Sequence, residues 1–166
     1  QLFKNAFLDN FSGISFEQEI NIHHNFAALE MVDGQGAWIH RKGATSAKKG
    51  QLGIIPGSMG TASYIVRGLG NPDSFESCSH GAGRKLGRTE ACRVLSVEKC
   101  DLSMEGIVYD RWKAQRRRGK SKGRGRKLLD LSESPLAYKD IEDVILSQTD
   151  LVKPLVRLMP LGVLKG

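Results

Sequence analysis

Short strand-like runs among helical patterns, an abundance of glycine and a length suited to one core predict an α+β fold of mixed sheets with packed helices. Leu52 to Ile55 and Tyr64 to Val66 are apolar runs of strand length, whereas Lys85 to Val94 repeats apolar residues at helical spacing. Nineteen glycines in 166 residues point to tight turns and backbone-lined sites. A chain of this size buries roughly two thirds of the surface that its unfolded form exposes, which suffices for one domain.

The elements follow in order. Leu2, Phe3, Phe7, Leu8 and Phe11 fit a helix that Gly13 ends. Ile20 and Ile22 suggest a short strand entering a His23-His24-Asn25 turn, with a helix or strand through Glu30. Trp38, Ile39 and His40 suggest another strand, ending at Arg41-Lys42-Gly43. Between the runs at 52–55 and 64–66, the stretch PGSMGTAS is a loop, because Pro56 lacks an amide hydrogen and Gly57 and Gly60 favour turns. Ser96-Val97-Glu98 reads as a helix start. Ile141, Val144, Ile145, Leu151 and Val152 suit one or two core-facing helices, and the tail from Leu161 to Gly166 reads as a strand.

Charge is unevenly spread. Ten of the 25 Lys and Arg lie between Arg111 and Lys127, which holds no acid, leaving fifteen bases against eighteen acids elsewhere. Glycines among like charges predict a basic arm that is mobile when unbound. Such an arm binds nucleic-acid phosphates in a salt-dependent way, or is a solvated loop or a localisation run. Cys78, Cys92 and Cys100 are odd in number and lack Cys-x-x-Cys spacing, which argues against a disulfide framework and for a reducing compartment. With no apolar stretch of membrane-spanning length, the expectation is a soluble, cytoplasmic protein that needs no membrane.

Four features could carry chemistry. His23-His24-Asn25 could place one histidine on a metal, or hold ordinary histidines. PGSMGTAS could cradle an anion with its exposed amides and the hydroxyls of Ser58, Thr61 and Ser63, or serve as a hairpin connection. His80, followed by Gly81, Ala82 and Gly83 and by the cations Arg84, Lys85 and Arg88, is the most specific. A neutral imidazole can attack phosphorus where nearby charge stabilises the transferring group, although HGAG could equally be a turn before a helix. Lys165 stands almost at the chain end.

Taken in order, HHNFAALE at 23–30, HRKGATSA at 40–47, GQLGIIPGSMGTASYIVRG at 50–68, SHGAGR at 79–84, PLAYKDIEDVI at 135–145 and the final LKG resemble the RtcB family of RNA-splicing ligases. The resemblance covers nearly the whole chain and implies the C-terminal part of an RtcB-like ligase domain. It also implies a reaction using GTP and Mn²⁺ that joins RNA 3′-phosphate or 2′,3′-cyclic phosphate ends to 5′-hydroxyl ends.

In that reading His80 is the catalytic residue that becomes guanylylated. His24 is a Mn²⁺ ligand, and His24 and Asn25 contact the nucleotide. Pro56, Gly57, Ser58, Met59 and Ser63 match the guanine-nucleotide loop, Gly81, Ala82 and Gly83 match the backbone beside the nucleophile, and Lys165 matches a lysine on the nucleotide. Two departures stand out. Leu86-Gly87-Arg88 replaces the usual Met-Ser-Arg, and the family's Asp-x-Cys pair and two further histidines, one in Gly-Gly-Asn-His-Phe, are absent. The missing ligands would come from the N-terminal half of the ligase or an equivalent partner. The alternative is a non-catalytic nucleic-acid or guanine-nucleotide binding module that uses the basic arm.

Overall fold

The computed structural model describes residues 2–110, 112 and 129–164. Helix α1 (Leu2–Asn10) forms where its periodicity predicts, and Phe3, Phe7 and Phe11 stack along one side with centroids 5.3 and 5.7 Å apart. It buries none of its residues. The strand expected at Ile20 and Ile22 is absent, since residues 14–23 carry no ladder. Both side chains are nevertheless half-buried, and a Cβ built on Gly53 would lie 3.4 Å from Ile22 Cδ1. Their apolar alternation serves packing rather than sheet pairing.

Strands β1 (Asn25–Val32) and β2 (Gln35–Lys42) form an antiparallel hairpin, which resolves the choice of helix or strand up to Glu30. The turn is Asp33-Gly34, both at positive φ (49° and 78°), the two-residue geometry whose twist matches the flanking strands. Even-numbered residues of β1 face inward. Glu30 among them receives Arg41 of β2 in a two-point pair at 2.7 and 2.9 Å, and Arg41, only 2% exposed, also donates to Ser77 Oγ and the Phe75 carbonyl. The hydrogen-bonded guanidinium holds the Glu30 carboxyl below its ordinary range. Removing either partner of such a buried pair costs about 3–5 kcal/mol.

The core gathers on a second sheet. β4 (Leu52–Ile55), β5 (Ser63–Gly68) and β8 (Val152–Leu158) are antiparallel with β5 central. Ile55, Val66 and Val152 pack with Ile141 and Ile145 of α4 (Ile141–Leu146), each contributing roughly 1.5–3 kcal/mol by burial. The helical pattern predicted through Val152 therefore covers only one short helix. Asp140 caps its start, accepting from the Glu142 amide, and after it the Leu151 and Val152 amides both bond the Gln148 carbonyl. That turn redirects the chain into β8, where a register shift opposite Ile65 and Val66 accommodates Pro154.

Two smaller pairings complete the sheets. β3 (Ala44–Ser46) runs antiparallel to β6 (Ser77–Ser79), and β7 (Val108–Tyr109) runs parallel to β9 (Gly162–Val163). Among the described residues the tail strand is thus only two residues long. The helix expected from Lys85 begins instead at Arg88, as α2 (Arg88–Val94). Arg84 bridges Tyr138, and the Lys85 and Leu86 amides share the Ala137 carbonyl, which holds this segment out of the helix. Ser96 caps α3 (Val97–Leu102) by accepting from the Lys99 amide, where a helix start is predicted.

Several small sheets and few, short helices make the architecture mixed and compatible with α+β. Cys78, Cys92 and Cys100 are free and buried, and burial pushes the Cys78 thiol up to about 11. Among the described residues no helix is long and apolar enough to cross a membrane. The basic arm, Trp112 apart, lies outside the described residues.

Candidate functional site

Two registers decide where the site forms. In the first hairpin Asn25 stands opposite Lys42, so His24 and Gly43 are neighbours just past its open end. In the second pair Ala44 stands opposite Ser79, so Gly43 and His80 are neighbours as well. Gly43 is thus common to both. Its amide donates to the His24 carbonyl at 3.3 Å, and its carbonyl lies 2.7 Å from His80 Nδ1. It adopts φ +73°, and a Cβ there would meet the His80 ring only at an ordinary 3.7 Å, so backbone conformation rather than space calls for glycine.

A carbonyl has no hydrogen to give, so His80 Nδ1 carries the proton in that contact. Nε2 therefore keeps its lone pair in the neutral ring. The imidazole of His24 lies nearly parallel to that of His80, with centroids 5.7 Å apart and 17° between planes. Thr45, 2% exposed, donates its hydroxyl to the His23 carbonyl and steadies the turn that presents His24. His24, His80, Thr45, Pro56, Ile22 and Ile54 line an open cavity of about 290 Å³.

The segment after His80 is docked on the loop that precedes it in sequence. The Ala82 amide donates to the Pro56 carbonyl at 2.9 Å, and a Cβ on Gly81 would approach that oxygen to 3.0 Å. Gly83, at φ +71°, turns the chain with nothing within 4 Å of a built Cβ, and its carbonyl accepts from the Lys139 amide. Asn25 is exposed at the head of β1, one residue from His24.

PGSMGTAS forms the predicted loop, but its polar groups are engaged with one another. The Ser58 amide and hydroxyl both bond Thr61 Oγ1, at 2.7 and 2.8 Å, and the Gly57 amide reaches Ser63 Oγ at 3.4 Å. Cβ atoms on Gly57 and Gly60 would lie 2.1 Å from the Ala62 carbonyl oxygen and 2.5 Å from that of Ser103. These glycines allow close packing. Met59 between them is half-buried.

Arg84, expected from sequence to face an anion, is engaged elsewhere. Its guanidinium bonds the Ser132 carbonyl, the Glu133 carboxylate and the Tyr138 hydroxyl, and stacks 4.7 Å over the Tyr138 ring. Burial pushes Tyr138 up to about 12, keeping it protonated as the 2.6 Å donor to Glu133. Lys85 and Arg88 remain exposed. Lys165 lies outside the described residues.

The residue type of Thr45, within HRKGATSA, gives no hint of its bond to His23, and nothing in the sequence points to Gln148, whose side chain bonds Ser79. Gly43 lies within a segment that carries the family resemblance, but only the strand registers reveal its contacts. A metal ion fits these residues poorly. His24 offers one imidazole at the cavity, and among the described residues no group of three or more His, Cys, Asp or Glu could hold an ion.

Comparison with known proteins defines the class. The family model described as tRNA-splicing ligase RtcB matches residues 1–166. The chain is 44% identical over 149 residues to the RNA-splicing ligase RtcB1 of Escherichia coli strain ATCC 25922, covering 90% of this chain and 33% of that protein. It is 37% identical over 177 residues to RNA-splicing ligase RtcB of Mycobacterium tuberculosis H37Rv, covering 93% and 38%. With the tRNA-splicing ligase RtcB of Pyrobaculum aerophilum identity is 33% over 193 residues, covering all of this chain and 37% of that one. The chain belongs to the RtcB family. It spans little more than a third of the length of these curated relatives.

Proposed function

We propose that this chain carries the nucleotide-transfer centre of a GTP-dependent RNA ligase, with His80 as nucleophile. The observation that supports this most directly is the 2.7 Å contact of Nδ1 with the Gly43 carbonyl, which leaves Nε2 as the basic atom of a ring bordering the cavity. Nε2 attacks the α-phosphorus of GTP. A P–N bond forms, the bond to the bridging oxygen breaks and pyrophosphate departs. The proton stays on Nδ1, donated to the Gly43 carbonyl, so the charge on the phosphorylated ring is matched by a fixed dipole.

GMP then passes from His80 to the RNA 3′-phosphate, and the 5′-hydroxyl of the second RNA end displaces it as the new phosphodiester forms. The imidazole suits both roles, as nucleophile and as leaving group. Asn25, Pro56, Gly57, Ser58, Met59, Ser63, Gly81, Ala82 and Gly83 contribute to the guanine-nucleotide pocket, joined by Lys165. With the loop hydroxyls bonded internally, the loop contributes shape and backbone more than free donors. A Mn²⁺ ion held in part by His24 would draw its other ligands from outside these 166 residues. RNA with 3′-phosphate or 2′,3′-cyclic phosphate and 5′-hydroxyl ends is the proposed partner.

The test is incubation with Mn²⁺ and GTP labelled on the α-phosphate, using this chain and a chimera in which it replaces the matching part of an E. coli relative. The expected result is protein-bound label in the chimera that survives denaturation, is released by acid and is absent from His80→Ala. No label in either form, together with RNA binding that weakens steeply with salt and persists in His80→Ala, would support the binding module instead.

A further inference from the structure

We infer that Gln148 is a positioning residue that fixes the orientation of the His80 ring by gripping Ser79, an inference that rests on the proposed role of His80. Gln148 is 5% exposed, and its side chain spends both ends on one residue 69 positions away. Its Oε1 accepts from the Ser79 amide at 3.0 Å, and its Nε2 donates to Ser79 Oγ at 2.8 Å. The amide orientation is dictated by the partner, since the Ser79 N–H can only donate. A flipped side chain would set donor against donor.

The grip matters because of where Ser79 lies. It ends β6 opposite Ala44, so the backbone that carries His80 leaves the ladder at this residue. On one side the Gly43 carbonyl holds the ring, and on the other Gln148 holds the amide just before it. Gln148 is itself fixed: its carbonyl accepts from both Leu151 and Val152, at the corner between α4 and β8. The nucleophile is thereby tied to the core sheet through two bonds that do not touch the cavity. No group of Gln148 takes part in proton or phosphoryl transfer; it limits how far Nε2 can wander from its line of attack.

The experiment uses Gln148→Met, close in shape but unable to bond Ser79, and Gln148→Glu, in which one carboxylate oxygen accepts the Ser79 amide and the other accepts its hydroxyl. Ser79→Ala, which keeps the amide bond, guards against a Met variant that fails to fold. Two readouts are compared. Ring ¹⁵N shifts of His80 in this chain, at one pH where the ring is neutral, report the tautomer; GMP labelling of the chimera reports kcat and KM for GTP. The expected outcome for Gln148→Met is a mixed tautomer and a kcat for labelling lower by roughly tenfold to a hundredfold, with KM little changed. Gln148→Glu recovers most of both, and Ser79→Ala falls between.

A folded Gln148→Met with wild-type ring shifts and labelling would overturn the inference. So would a fall in labelling matched only by a fall in melting temperature. If ring shifts respond but no form is ever labelled, positioning by Gln148 stands and the ligase reading fails.

Discussion

The two glycine-rich segments beside the cavity, PGSMGTAS and HGAG, look alike in sequence and behave differently. In the first, glycine makes room for protein: Gly57 and Gly60 sit where any Cβ would collide with backbone oxygens, and Ser58, Thr61 and Ser63 close the loop on itself. In the second, Gly83 has open space and needs only its positive φ, while His80 keeps a ring nitrogen available. One segment closes on itself where it borders the cavity, and the other carries the histidine proposed as nucleophile. Glycine content alone does not distinguish the roles, because a missing side chain serves close approach and left-handed backbone equally well.

Substitutions can sharpen or break that contrast. His80→Ala gives the largest effect on chemistry, complete loss of GMP label, yet forfeits only one hydrogen bond worth about 1 kcal/mol. Its melting temperature should fall by roughly 2–4 °C. Gly57→Ala is the mirror image. With backbone oxygen 2.1 Å from the new methyl the loop must open, at about 3 kcal/mol, and calorimetry should show melting lower by roughly 6–12 °C.

Thr61→Val removes the acceptor of the Ser58 amide and the hydrogen-bond partner of its hydroxyl and should cost about 1–2 kcal/mol by denaturant titration. Gly83→Ala is the mildest, at about 1 kcal/mol for a left-handed alanine that meets nothing. A Gly83→Ala variant less stable than Gly57→Ala would break the comparison.

Much of the site could be read from local sequence. His24, Pro56, His80 and Gly81 are candidates on residue type and resemblance; the first three line one cavity, and Gly81 packs against the Pro56 carbonyl. The misreadings have a common cause. Arg84 looks like an anion ligand beside His80, but Glu133, about fifty residues on, competes for it and wins, since a half-buried guanidinium needs a carboxylate partner. Likewise the apolar residues at 151 and 152 continue a helical period, yet Val152 enters β8 because β5 offers it a ladder. Ile20 and Ile22 alternate like a strand and find no strand to join.

Sequence by itself determined the local preferences: the Asp33-Gly34 turn, the caps at Ser96 and Asp140, the loop at Pro56 and the apolar runs that become β4, β5 and α4. These depend on torsions and hydrogen bonds within a few residues, so the residues there suffice to specify them. Only the tertiary structure decided that Gly43 joins His24 to His80, that Gln148 holds Ser79 and that Arg84 turns away. Each of those needs two strands in register or two segments far apart in the chain, and loop-closure entropy is repaid only when the whole core forms at once.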